Sequence, residues 1–155
     1  MFQRIQTIYI IIFVTLLFIG SLSSFANLIL EDKTILKLFP TGWEYSSGEK
    51  EKSLYFLGYL VAASFGILML VNFKKRTKQL KYGKVCYLIV LITLLYMFTI
   101  VDNKIELLNS SNYLNPIITY SYSMYLLVAS LPFIFLANRA IKKDENLIKS
   151  LDRLR

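Results

Sequence analysis

Four long stretches without a single charged residue divide this chain, at residues 5–30, 53–73, 85–101 and 116–137. They are 26, 21, 17 and 22 residues long. A hydrocarbon core about 30 Å thick is crossed by roughly 20 helical residues, with about 17–25 the usual range. Each stretch therefore suits one crossing, the first with tilt or protrusion. Amides in hydrocarbon find no water to bond, so each crossing must satisfy its backbone internally, as a helix does. The alternating ten-residue pattern of a membrane barrel is missing.

Composition points the same way. Apolar residues make up 55% of the 155 and charged residues 18%, against about 25% charged in soluble domains. Mean hydropathy is +0.51. These values exclude a soluble globular protein, a disordered tail and a disulfide scaffold. The expected fold class is all-α: an integral membrane four-helix bundle forming one membrane domain over residues 1–155. The hydrophilic connectors, about 22, 11, 14 and 18 residues long, fall below the size that builds its own core. No internal repeat or charge-marked inverted duplication is visible.

Charge sets the orientation. The N-terminal residues, the connector 74–84 and the tail 138–155 together hold 13 basic and 3 acidic residues. The connectors 31–52 and 102–115 hold 5 basic and 7 acidic residues. The positive-inside rule then places both chain ends in the cytoplasm, and an even number of crossings, which puts both ends on one side, is consistent with that. Tyr55, Tyr59, Trp43, Tyr45, Tyr113, Tyr120, Tyr122, Tyr82 and Tyr87 fall near the run ends and read as interfacial anchors. Ser24-Phe25-Ala26 imitates a signal-peptide cleavage site, but the preceding run exceeds the usual 7–15 residue apolar region. The first stretch is therefore expected to be a retained helix.

Within the second run, Gly58, Ala62 and Gly66 recur every four residues and predict a close-packed seam. That seam serves either helices of the same chain or a partner subunit. Pro132 is expected to kink the fourth helix, because the bond to residue 128 is lost. In the tail, Ile141, Leu147, Ile148, Leu151 and Leu154 fall at helical spacing and predict a cytoplasmic amphipathic helix. Its basic residues Arg139, Lys142, Lys143, Lys149, Arg153 and Arg155 join Lys74, Lys75, Arg76, Lys78, Lys81 and Lys84 of the nearby connector. Together they form a candidate surface for anionic headgroups or a protein partner. The interleaved Asp144, Glu145 and Asp152 argue against nucleic acid as the recipient.

Reactive chemistry is scarce. The chain has no histidine and one cysteine, Cys86, which reads as a small packing residue. Thiol exchange needs a second cysteine, and metal or haem ligation needs donors that the runs lack. No carboxylate or basic side chain lies mid-run, where ion-coupled transporters place one. The reading is therefore not an enzyme and no cofactor. Hydroxyls remain: Thr93, Tyr96, Thr99, Thr119, Ser123 and Tyr125 would together line a cavity between helices 3 and 4.

The opening MFQRIQTIYIII and the closing LANRAIKKDENLIKSLDRLR resemble the domain-of-unknown-function 4293 family, small four-helix inner-membrane proteins of Gram-negative bacteria. The resemblance spans the chain and implies a bacterial inner membrane, four helices and a basic tail. It implies no activity. Two functions are thus expected from the sequence. The first is a non-enzymatic accessory or scaffold subunit of a larger membrane assembly, with membrane lipids and a protein partner or second copy as its contacts. The second is a small transporter or lipid-binding protein built on the hydroxyl-lined cavity.

Overall fold

In the computed structural model, residues 5–30, 34–110 and 116–152 are described. Four helices and five strands follow one another along the chain. Helix α1 (Ile5–Leu22) leads into strands β1 (Ala26–Ile29), β2 (Ile35–Phe39), β3 (Gly42–Tyr45) and β4 (Lys50–Lys52). Helices α2 (Phe56–Val71) and α3 (Arg76–Ser110) come next, then strand β5 (Ile117–Tyr120) and helix α4 (Tyr122–Asp152). The helices pack side by side in a ring, α1 against α2 and α4, α3 against α2 and α4. The strands form one antiparallel sheet in the order β4-β3-β2-β1-β5.

This sheet overturns the all-α expectation, and the protein is mixed α/β. The first apolar run is helical only to Leu22, and the fourth becomes helical only at Tyr122. The ends of these two runs pair with each other as β1 and β5, Ala26 opposite Tyr120 and Ile29 opposite Ile117. Their backbone groups are thereby satisfied across strands rather than along a helix, which serves the same physical requirement. The connector 31–52, too small for a core of its own, supplies β2, β3 and β4, which join these two run ends in one sheet.

Strand alternation makes the sheet two-faced. One cross-strand row runs Tyr120, Ala26, Leu38, Trp43, Glu51 through all five strands. Ala26, Leu38 and Trp43 in it are buried. The adjacent row, Thr119, Asn27, Lys37, Glu44, Lys50, is polar. Phe25, fully buried, joins the sheet to the helices: its ring meets Phe98 of α3 at 5.5 Å and Tyr120 at 6.2 Å, and Phe98 meets Tyr120 at 5.4 Å. The β2–β3 turn needs glycine at residue 42, where φ is +134° and a Cβ would overlap the carbonyl oxygen of Glu51.

Three helices, α1, α3 and α4, are long and apolar enough to cross a membrane. Along their apolar stretches large hydrophobic side chains are exposed, among them Ile8, Phe18, Leu88, Leu95, Val128 and Phe135. A water-soluble helix carries polar residues at such positions. Helix α2 has 16 residues, about 24 Å at 1.5 Å per residue, shorter than the run 53–73 suggested. Helix α3 has 35, about 52 Å on the same rise, because the polar residues flanking the third run extend it at both ends.

The tail is helical and continues α4, which runs unbroken through Pro132 to Asp152. No further proline and no glycine interrupt it, Ile141 is fully buried, and Arg76 Nη1 of α3 donates to the Asp144 carbonyl at 2.7 Å. Of the apolar stripe, Leu154 lies outside the described residues, as do the side chains of Ile148 and Leu151. Tyr113 also lies outside them.

The small-residue seam of α2 is occupied by this chain's own helices. A Cβ at Gly58 would overlap Thr93 Oγ1 of α3, and one at Gly66 would stand 2.7 Å from Val14 Cγ2 and 3.2 Å from Phe13 Cε1 of α1. Ala62 is buried between them, and its carbonyl accepts from Cys86 Sγ at 3.5 Å. Gly58→Leu and Gly66→Leu should each destabilise the fold by about 1–3 kcal/mol, the usual range for overpacking. Ser64→Leu, on an exposed position of the same helix, should leave stability unchanged. Thermal unfolding in detergent micelles measures all three.

Candidate functional site

The molecule has two polar ends. One is the sheet; the other is basic and comprises the α2–α3 turn, the first turns of α3 and the last turns of α4. At the basic end Lys74, Lys75, Lys78, Lys81 and Lys84 are exposed, as are Arg139, Lys142 and Lys143. Arg76 is half-buried and serves as the tie to α4 rather than as free surface. Arg153 and Arg155 lie outside the described residues, as does the side chain of Lys149. A shallow groove of about 470 Å³ runs between Arg139, Lys142, Lys143, Asn146 and Leu147 on α4. The sequence-predicted cationic residues of the two segments thus share one end of the molecule, with the Arg76–Asp144 bond fixing α3 against α4.

Beneath this surface lie amides that sequence reasoning missed. Gln6 and Gln79 are 2% and 1% exposed. Gln79 Nε2 donates to the Met69 carbonyl at 3.1 Å, tying α3 to the end of α2. Asn138 of α4 rests against Gly83 of α3, where a Cβ would overlap its Oδ1. The oxygens Gln6 Oε1, Gln79 Oε1 and Asn138 Oδ1 have no hydrogen-bond partner among the described residues. Polarity alone gave no signal here, because a glutamine at a run end reads equally well as solvated.

At the sheet end, Lys104 of α3 forms a clamp. Its Nζ lies 2.8 Å from Glu51 Oε2, 5.7 Å from the Trp43 ring centroid and 5.5 Å from that of Tyr45. The Tyr45 hydroxyl donates to the same carboxylate oxygen at 3.3 Å. Cation–π attraction of this kind contributes roughly 0.5–1 kcal/mol at partly exposed sites. The Lys104 bond holds the Glu51 carboxyl below its ordinary range, outweighing the opposing effect of burial. Burial by itself would lower the Lys104 ammonium, but its bonds and attractions to Glu51 and Tyr45 prevail and raise it.

The hydroxyls expected to share a cavity between α3 and α4 are not brought together. Thr93 Oγ1 donates to its own helix at Ile89, 2.8 Å, and faces Gly58 of α2. Ser123 Oγ is buried against Tyr59 OH at 2.8 Å. Thr119 sits on β5 with its hydroxyl toward the Asn27 carbonyl, Thr99 bonds back to Tyr96, and Tyr96 and Tyr125 are exposed. Cys86 is buried. Among the described residues no three side chains of the His, Cys, Asp and Glu types come together in a way that could hold a metal ion.

This arrangement defines a class: a small helical protein with an apolar exterior, a basic end and a sheet covering the other end. The chain belongs to the family Domain of unknown function (DUF4293), whose match covers residues 2–154. A comparison with curated proteins gives no match.

The clamp carries a pH signature. A lowered Glu51 contributes stability that is present above the ordinary carboxyl value of 4.5 and lost as pH falls through its lowered value. A raised Lys104 contributes stability that is present below 10.5 and lost as pH rises through its raised value. Fluorescence of Trp43, the single tryptophan, should therefore stay constant between pH 4.5 and 10.5 and change outside that window. In Lys104→Met the acid limb should disappear.

Proposed function

We propose that this protein is a non-enzymatic accessory or scaffold subunit of a larger assembly in a bacterial inner membrane. In this reading the four helices cross the bilayer, both chain ends lie in the cytoplasm, and the sheet lies on the opposite side. The charge distribution supports that orientation: the exposed lysines and arginines of the α2–α3 turn and of α4 share one end, and positive residues stay inside. Helix α2, although short, stands between α1 and α3, and its two ends lead to the sheet and to the basic turn.

The observation that carries the scaffold reading is the fixed basic surface. Arg76 on the Asp144 carbonyl and Gln79 on the Met69 carbonyl hold three helices in register, so that Lys81, Lys84, Arg139, Lys142 and Lys143 project from one rigid platform. Such a platform suits an acidic partner surface or anionic headgroups. The interior hydroxyls are consumed by helix packing, which leaves surfaces rather than a reaction chamber as the sites of action.

Gentle-detergent isolation at native expression should recover companion proteins, and Lys142→Glu with Lys143→Glu should reduce their recovery. Isolation of the chain alone overturns the reading. Orientation is checked by thiol labelling. In Ser47→Cys the new thiol should react from the periplasm, and in Asn146→Cys only after the inner membrane is opened, with buried Cys86 silent. Labelling of Asn146→Cys in intact cells overturns the orientation.

A further inference from the structure

The sheet end carries a second feature, a groove of about 600 Å³ between α2 and α3. Its floor is apolar: Leu57 and Ile92 are 45% and 64% exposed, beside Gly58 and Thr93, where the two helices come into direct contact. The rings of Tyr55 and Tyr96 flank it, 6.0 Å apart and edge to face. At its mouth stand Lys52 and Ser53, where the sheet passes into α2. The charges on the neighbouring strand positions are matched, Lys50 by Glu44 at 2.9 Å and Glu51 by Lys104 at 2.8 Å. Lys52 has no carboxylate partner among the described residues.

From this geometry we infer that the groove is a binding site for one anionic phospholipid of the leaflet at the sheet end. The headgroup phosphate pairs with the Lys52 ammonium and accepts hydrogen bonds from the hydroxyls of Ser53, Tyr55 and Tyr96. One acyl chain lies along Leu57, Gly58 and Ile92. Three features argue for this occupant. The unmatched cation sits at the sheet–helix boundary, the level of headgroups beside helices that stand in a bilayer. The aromatic pair at that level is the residue type that favours the interface. The floor below it offers only apolar contact, which a free phosphate would leave uncovered. Within β4, Lys50 and Glu51 are matched and Lys52 is the cation without a carboxylate partner among the described residues, suited to a single phosphodiester. The site requires that the helices stand in a membrane and is independent of the scaffold reading, since no protein partner enters it.

The test uses the full chain in nanodiscs of phosphatidylcholine containing a small fraction of phosphatidylglycerol with a photoactivatable acyl tail. Adducts are mapped by mass spectrometry. They should concentrate at residues 54–58 and 92–96. Lys52→Gln should lower them about fivefold, the change that about 1 kcal/mol per basic side chain near anionic lipid represents. Ile92→Trp, which fills the groove from an exposed position, should abolish them, while Lys37→Gln and adducts at the basic end serve as unchanged references. Three outcomes overturn the site: adducts spread evenly over lipid-facing positions such as Phe18 and Phe135, an equal loss in Lys37→Gln, or competition by inorganic phosphate. A pull-down that recovers companion proteins has no bearing on these readouts, so the two proposals fail separately.

Discussion

One cross-strand row decides how this molecule is built. Tyr120, Ala26, Leu38, Trp43 and Glu51 stand side by side across five strands, and both ends of the row reach α3. Tyr120 meets Phe98 at one end and Glu51 meets Lys104 at the other. Edge-to-face aromatic pairs contribute about 0.5–1.5 kcal/mol each beyond the area they bury. The row also fixes the register: a slip of one residue would turn the polar row toward the helices. The sheet therefore lies over the helices in one way only, with its polar row, Thr119 to Lys50, facing away.

Helix α3 is the member to which both ends are fastened. It is about 52 Å long at the usual rise and so outruns a hydrocarbon core of about 30 Å. Its surplus turns are polar and occupied. Arg76 and Gln79 tie the first of them to α4 and α2, and Lys104 ties the last to the sheet. Between these ties the helices touch through small residues, Gly58 on Thr93 and Gly66 on Val14 and Phe13. Lipid offers no hydrophobic drive for helices to associate, so close dispersion contact has to supply it. The seam on α2 is thereby consumed inside the chain, and the surfaces left for other molecules are the two ends and the exposed apolar grooves.

Hydropathy located the helical cores of all four runs, since hydrocarbon permits little else. It misjudged their margins. Residues 26–29 and 117–120 carry no charge and lie within the uncharged runs, and a window of local composition cannot tell a strand there from a further helical turn. Helix or strand was decided there by a pairing between segments some ninety positions apart in the chain. The candidate site divides in the same manner. Lysines and arginines at the basic end are visible to simple counting. The roles of Arg76, Gln79, Asn138 and Lys104 are not, because each depends on which neighbour the fold supplies.

The sequence by itself determined where apolar helices form, which end of the bundle is basic, and that α2 presents a strip small enough for close approach. These are local properties, set by the free energy of placing each residue type in water or in hydrocarbon. Only the tertiary structure decided that one connector joins the ends of two apolar runs in a sheet, that the seam faces α1 and α3, and that Lys52 stands above an apolar groove. Those outcomes rest on contacts between distant residues, whose geometry no single segment contains.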